Sequence, residues 1–172
     1  MYDATTRAFI AAHRNDDVRA LALQGKRYPA VDIREAVVQI EGWQHAREKL
    51  PEWAAAEGII YPPKISMEQC SSEKTAKYKA KLIGSGKRLA DLTGGFGIDF
   101  SYTARGFDEA YYIERSKELC DIATANFAHL GLNNVKVMNG NSEELLATLP
   151  HLDWIFVDPA RRDGDGRKVV AL

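Results

Sequence analysis

The feature that most constrains this chain is a change of period at Arg88. Beyond it, short apolar runs at 89–92, 110–113, 135–138 and 154–157 alternate with helically spaced segments at 97–105, 116–130 and 142–148. Strand, helix and strand in repeated order need crossover connections, which are right-handed and lay the strands parallel. The expected class is α/β with a parallel sheet. Residues 1–58 carry no such alternation and read as helices alone. Thr5 or Thr6 can cap a first helix, and Asn15-Asp16-Asp17 opens a second that Gly25 stops. Ile33, Ala36, Val37, Ile40, Trp43 and Ala46 recur along a third, longer helix that Pro51 ends. Pro51 then starts a short helix over 51–57, with Gly58 as its terminator. Trp43 and Trp53 are expected in the core, because aromatic rings bury large areas.

Between the two parts, Ile59-Ile60-Tyr61-Pro62-Pro63 is extended, since each proline keeps its predecessor out of the α region. Ser71 or Ser72 then caps a helix running to about Ile83. Over 64–88 seven basic residues stand against two acidic ones. Such a run is ordinarily a solvated face, with contact to a polyanion as the sharper alternative. The whole chain has net charge −1, which argues against nucleic-acid binding by bulk charge but leaves a local basic stripe open. Its two cysteines, Cys70 and Cys120, lack metal-ligand spacing and are read as free, buried structural thiols in a reducing compartment. No metal is expected. No apolar run approaches membrane-span length and no signal-peptide pattern is present, so the expected location is cytoplasmic.

The chemistry concentrates in the first crossover, Asp91-Leu92-Thr93-Gly94-Gly95-Phe96-Gly97. Glycines between a strand and a helix let backbone N–H groups approach a ligand closely. A dinucleotide fingerprint fails because position 100 is Phe where its third glycine would stand. A phosphate loop fails because Gly86-Lys87 is followed by Arg88, with Lys81 at the place of the first glycine. The polar residues at the next three strand ends are ordered as a nucleoside site demands. Glu114 closes the second strand, where a carboxylate can accept both ribose hydroxyls, and Asn141 comes after the third strand within reach of an adenine edge. Asp158-Pro159 closes the fourth. A sulfonium ligand tolerates Asp91 beside the loop; a pyrophosphate would not.

These residues, with Asp158-Pro159-Ala160-Arg161, resemble the successive motifs of the class I, Rossmann-like S-adenosylmethionine-dependent methyltransferases over about 64–163. Gln69–Ala76 leading into the glycine-rich turn, and Asp-Pro-Ala-Arg-Arg later, are similar to a narrower set of bacterial methyltransferases that have a helical N-terminal part and a THUMP-like C-terminal domain. The resemblance implies a partial sheet of order 3-2-1-4 (64–172) preceded by a small helical domain (1–63), with S-adenosylmethionine as cofactor. The cofactor-binding positions it implies are Asp91, Thr93, Gly94, Gly95, Phe96, Gly97, Asp99, Glu114, Asn141 and Asp158; Asp158, Pro159 and Arg161 are the catalytic candidates. Within this resemblance Gly94, Gly95 and Gly97 line the methionine part, Glu114 holds the ribose and Asn141 the adenine.

Asp158-Pro159 is similar to the corner that orients the amine in amino-methyltransferases, but Ala160-Arg161 stands where that corner has proline and an aromatic, so no side chain is offered for stacking a flipped base. Arg161 and Arg162 suggest either a phosphate or carboxylate partner or an ion pair within the fold. The expected substrate is an RNA base, rRNA or tRNA; the competing expectations are a catalytically silent nucleic-acid-binding or scaffold module with this fold, and a nucleoside-cofactor oxidoreductase. Four strands and a terminal apolar run, 167–172, lead us to expect a fragment, with strand 4 an open edge and no turnover from these residues alone.

Overall fold

The computed structural model describes residues 2–158. The chain clusters into two compact units, one up to Glu68 and one from Gln69 onward. The first contains helices α1 (Ala4–His13), α2 (Val18–Leu23), α3 (Ile33–Lys49), α4 (Pro51–Ala55) and α5 (Lys64–Gln69), with a 3-10 turn at Gly25–Arg27. Its first three helices start on aspartates. Asp3, Asp17 and Asp32 cap α1, α2 and α3 by accepting backbone N–H groups of the first turn. The cap of α1 is thus Asp3, and the expected Thr6 lies inside the helix, where its Oγ1 accepts the N–H of Asp32. Phe9, Ile10, Leu21, Ala36 and Ile40 form the unit's buried cluster. Gly42 lets the extended segment lie against α3, because a Cβ there would sit 2.3 Å from that of Tyr61. Gln39 fixes the same contact by donating to Tyr61 O and accepting from Tyr61 N, each at 2.8 Å.

Two expectations are corrected in this unit. Trp53 is fully buried, but Trp43 is only half-buried: the guanidinium groups of Arg14 and Arg47 lie over its ring, and its indole N–H donates to Ala54 O. Helix α5 was not expected. Its six residues carry a weak apolar pattern, and tertiary contacts hold it, with Lys49 Nζ donating to Met67 O at 2.8 Å.

The second unit has helix α6 (Glu73–Ile83), capped by Ser72, then strand β1 (Gly86–Asp91), α7 (Ile98–Thr103), β2 (Phe107–Glu114), α8 (Lys117–His129), β3 (Val135–Asn139), α9 (Ser142–Leu146) and β4 (Trp154–Phe156). The strands form one parallel sheet in the order β3-β2-β1-β4, the expected topology. Phe100, at the position where a dinucleotide fold would need its third glycine, is buried in an aromatic trio with Tyr112 and Phe127, ring centroids 5.3–5.5 Å apart. β4 pairs with β1 alone among the described residues, and Trp154 and Ile155 on it are exposed, as is Val157 just beyond.

Candidate functional site

Parallel strands bring their C-terminal ends to one side of the sheet, and that is where the polar side chains gather. Asp91 ends β1, Glu114 ends β2 and Asn139 ends β3, while Asp158 comes just after β4. The turn after β1 is pinned from both neighbours: Leu92 N–H donates to Phe156 O, and Gly94 N–H to Ile113 O, each at 3.0 Å. Asp91 Oδ1 accepts the backbone N–H of Thr93 at 2.9 Å and its hydroxyl at 3.2 Å. The same hydroxyl oxygen accepts the N–H of Asp158 at 2.8 Å. Thr93 therefore ties the end of β1 to the end of β4 through one oxygen. Asp91 is buried, and burial pushes its carboxyl up to about 7; the Thr93 hydrogen bonds oppose the shift, and the Asp99 and Asp158 charges add to it.

The three glycines have different reasons. A Cβ on Gly94 would lie 2.4 Å from the Tyr112 ring, and one on Gly97 2.8 Å from Phe127, so both are required by packing beneath the turn. Gly97 also has φ +85°, and Gly95 has φ +57°. At Gly95 a Cβ would meet nothing nearer than Thr93 O at 3.7 Å. This is the glycine that faces open space, and so the one where a ligand can come close to the backbone.

Glu114 reaches back to the turn. Its Oε2 accepts Gly95 N–H and its Oε1 accepts Ser116 N–H, both at 2.8 Å. Tyr112 closes the arrangement from below, its hydroxyl donating to Gly95 O. Asn139 donates from its amide to the carbonyls of Glu114 and Arg115, holding the end of β2. Asn141, expected near an adenine edge, is the N-cap of α9, where its Oδ1 accepts Glu143 N–H at 3.0 Å.

A cation stands among the carboxylates. Lys79 Nζ, from α6, lies 2.8 Å from Asp99 Oδ2, 3.0 Å from Asp158 Oδ2 and 3.2 Å from Ser71 Oγ. Desolvation works to lower the Lys79 pKa, but the hydrogen bonds to Asp99 and Asp158 outweigh it and hold the ammonium above its usual value. Ser71 donates to Asp99 Oδ2 as well, yet Asp99 Oδ1 is buried with no hydrogen-bond partner among the described residues.

Asp91, Thr93, Asp158 and Asp99 thus come together in one hydrogen-bonded set through Lys79, Gly95 and Glu114 in a second beside it, and Gly94 is tied to the end of β2, while Phe96 and Gly97 are buried beneath the turn. Asn141 stands apart from that set, and Pro159 and Arg161 lie outside the described residues. Sequence reasoning missed Tyr112, Asn139, Ser71 and Lys79. For Lys79 the available signal was its place on the helix just before the strand; nothing in the sequence distinguished it from the other lysines of α6. Cys120 is buried and burial raises its thiol pKa, so it offers little thiolate; Cys70, expected buried, is half-exposed. An open groove in the helical unit lies near Asn15, Asp16, Gln44 and Arg47, but Gln44 and Arg47 there close the α1–α2 turn by bonding to Arg14 O, Asp16 O and Asn15 Oδ1. Among the described residues no group of side chains is arranged to hold a metal ion, and no helix is long and apolar enough to cross a membrane.

Comparison with known proteins bears on this geometry. The model of the conserved hypothetical protein 95 family matches residues 75–172, more than half of the chain. The chain belongs to this family. The matched stretch takes in the whole sheet together with Lys79, the glycine turn and the carboxylates at the strand ends. No curated protein matches the chain. Among solved structures, a protein of Porphyromonas gingivalis W83, named as a candidate methyltransferase, is 32% identical with a TM-score of 0.76. That match covers 92% of this chain and 40% of that one, so the chain spans well under half of its length. A candidate RNA methyltransferase of Pyrococcus horikoshii (23% identity, TM-score 0.52) covers 71% of this chain and 62% of that one. A cofactor-bound protein of MTB, Rv0187 (22%, TM-score 0.51), covers 67% and 53%. The last two bear on fold alone, and with the first they agree on a Rossmann-like methyltransferase sheet.

Proposed function

We propose that this chain carries the cofactor-binding part of an S-adenosylmethionine-dependent methyltransferase that acts on RNA, with 1–63 as a helical domain and 64–172 as the cofactor domain. The observation that carries the reading is the linked set Asp91–Thr93–Asp158 beside an open Gly95, at the C-terminal ends of parallel strands. It occurs in a chain 32% identical to a candidate methyltransferase.

The residues present fit such a cofactor. Each Glu114 oxygen accepts one N–H, and a carboxylate has roughly four lone-pair sites, so acceptors remain for ribose hydroxyls. The buried Asp99 Oδ1 is a further acceptor without a donor among the described residues. Among the described residues Asp99 and Asp158, with Asp91 partly ionised at neutral pH, outweigh the charge of Lys79 and leave the corner acidic, which favours a sulfonium and disfavours a pyrophosphate. Bound there, the cofactor supplies an electrophilic methyl group, and methyl transfer then depends chiefly on positioning. Glu114 would hold the sugar, Gly95 would let the ligand approach the backbone, and the Thr93-linked Asp158 would set the edge where an acceptor arrives. Support for RNA comes from the basic run at 64–88 and from the resemblance to THUMP-containing methyltransferases.

The test is methyl transfer from labelled S-adenosylmethionine to total RNA from cells lacking the gene, together with calorimetric titration of S-adenosylhomocysteine. Label in RNA, and binding that Glu114→Ala abolishes, are the expected results. Label in protein or small molecules instead would overturn the RNA assignment. A folded protein that binds RNA but no cofactor would favour the catalytically silent module.

A further inference from the structure

Helix α6 has a side that meets the carboxylate corner and a side that is exposed. Its buried side carries Glu73 and Ala76, and Lys79 turns into the corner. The opposite side exposes Lys74, Lys77, Tyr78, Lys81 and Leu82. Tyr78 and Leu82 are 62% and 65% exposed, which is unusual for large apolar side chains on a helix that packs firmly against α7. At about 100° per residue, Lys74, Lys77 and Lys81 fall within an arc of roughly 60°. Tyr78 and Leu82 come next around the helix, then Thr75, and then Lys79 at the corner. Cations, an aromatic ring and the candidate site therefore succeed one another across one helix.

We propose that this exposed face of α6 is where single-stranded RNA docks, with phosphates on Lys74, Lys77 and Lys81 and a base on the Tyr78 ring, so that the strand runs toward Asp158. The inference rests on the proposed action on RNA. Charge complementarity carries it: Lys74 and Lys81 make no ion pair with any described residue, and the acidic residue of the helix, Glu73, is buried and bonded to Lys77. The positive surface continues across Tyr102, whose ring lies under Lys77 Nζ at 5.5 Å and the Arg105 guanidinium at 4.8 Å. Lysines beside a stacking ring form the arrangement that holds single strands without sequence preference. An acidic peptide would use the lysines but gain little from an exposed tyrosine stacking platform.

The experiment is fluorescence anisotropy of the full chain with labelled single-stranded oligouridine over a salt series. Lys74→Glu with Lys81→Glu is expected to weaken binding at least about tenfold and to lower the salt slope by roughly 1.4, about 0.7 per lost phosphate contact. Tyr78→Ala is expected to weaken binding roughly tenfold with the slope unchanged. A charge-matched control on exposed residues of the helical unit, Arg19→Glu with Lys26→Glu, should bind as the unaltered chain does. Circular dichroism and S-adenosylhomocysteine titration establish that each variant is folded. If the α6 variants bind RNA like the unaltered chain, this docking face is wrong and the RNA reading stands. If the unaltered chain binds S-adenosylhomocysteine but no RNA, the RNA reading falls and the docking face with it. Displacement of the oligouridine by oligoglutamate at equal charge, with Tyr78→Ala silent, would assign the face to an acidic protein partner and overturn the proposal.

Discussion

At Gly94 an added Cβ would press into the ring of Tyr112, which is fully buried and whose hydroxyl is bound to Gly95 O. Gly94→Ala is therefore expected to cost about 1–3 kcal/mol of stability through overpacking. Gly95→Ala meets open space and only the strain of a left-handed φ, about 1 kcal/mol. Its larger effect should fall on cofactor affinity. Urea unfolding and S-adenosylhomocysteine titration of both variants separate the two roles; equal losses in both measurements would refute the assignment. Asp91 offers a pH test. Its folded pKa of about 7 exceeds the unfolded value near ~3.9, so between these the folded state binds more protons than the unfolded one. The stability it contributes is full below about pH 4 and is lost as pH rises to about 7. Asp91→Asn should flatten that slope in denaturant titrations. A sulfonium also draws Asp91 into its ionised form, so S-adenosylmethionine should bind more tightly as pH rises from ~6 to ~8, with less change for S-adenosylhomocysteine, whose sulfur is a neutral thioether. An identical pH profile for the two ligands would argue against contact with Asp91.

At the scale of elements, Lys79 joins three pieces of secondary structure: α6, the start of α7 through Asp99 and the end of β4 through Asp158. Lys79 and Asp99 retain 25% and 15% side-chain exposure, so solvent screens the pair only in part. Lys79→Met would leave Asp99 largely buried and without its cation, at a cost of about 1–3 kcal/mol. A double-mutant cycle with Asp99→Asn should return a coupling of about 0.5–3 kcal/mol, read from urea midpoints; strict additivity would show that the contact does not stabilise the fold. The elements also show what local pattern can and cannot carry. The sheet strands were legible because apolar runs bounded by polar ends have few alternative readings. The α1 cap was misplaced because Thr5, Thr6 and Asp3 are all competent caps, and the choice is made by Thr6 Oγ1 meeting Asp32 N–H, 26 residues away. Trp43 was misassigned because helical spacing gives a face, whereas its two flanking arginines decided how much of the ring stays in water.

Among the described residues, one apolar cluster in the helical unit gathers around Ile40, and one in the sheet unit around Tyr112. Ile40→Ala is expected to destabilise the helical unit by about 2–5 kcal/mol. Hydrogen exchange should then report lost protection over residues 4–55, with that of 86–139 unchanged; a uniform loss across both would show one cooperative unit instead. By itself the sequence determined the parallel sheet and the turn Asp91–Gly97, because strand–helix alternation admits one handedness of crossover and glycines mark where backbone must turn tightly; the strand order came only as what the family resemblance implies. It could not determine which residues share a hydrogen bond across distant segments. Only the folded chain brought Lys79 to Asp158, 79 residues on, and Glu114 to Gly95, and only it distinguished the glycine facing open space from the two lying over aromatic rings. Those choices depend on packing in three dimensions, where a contact between remote residues forms only after the sheet has fixed their separation.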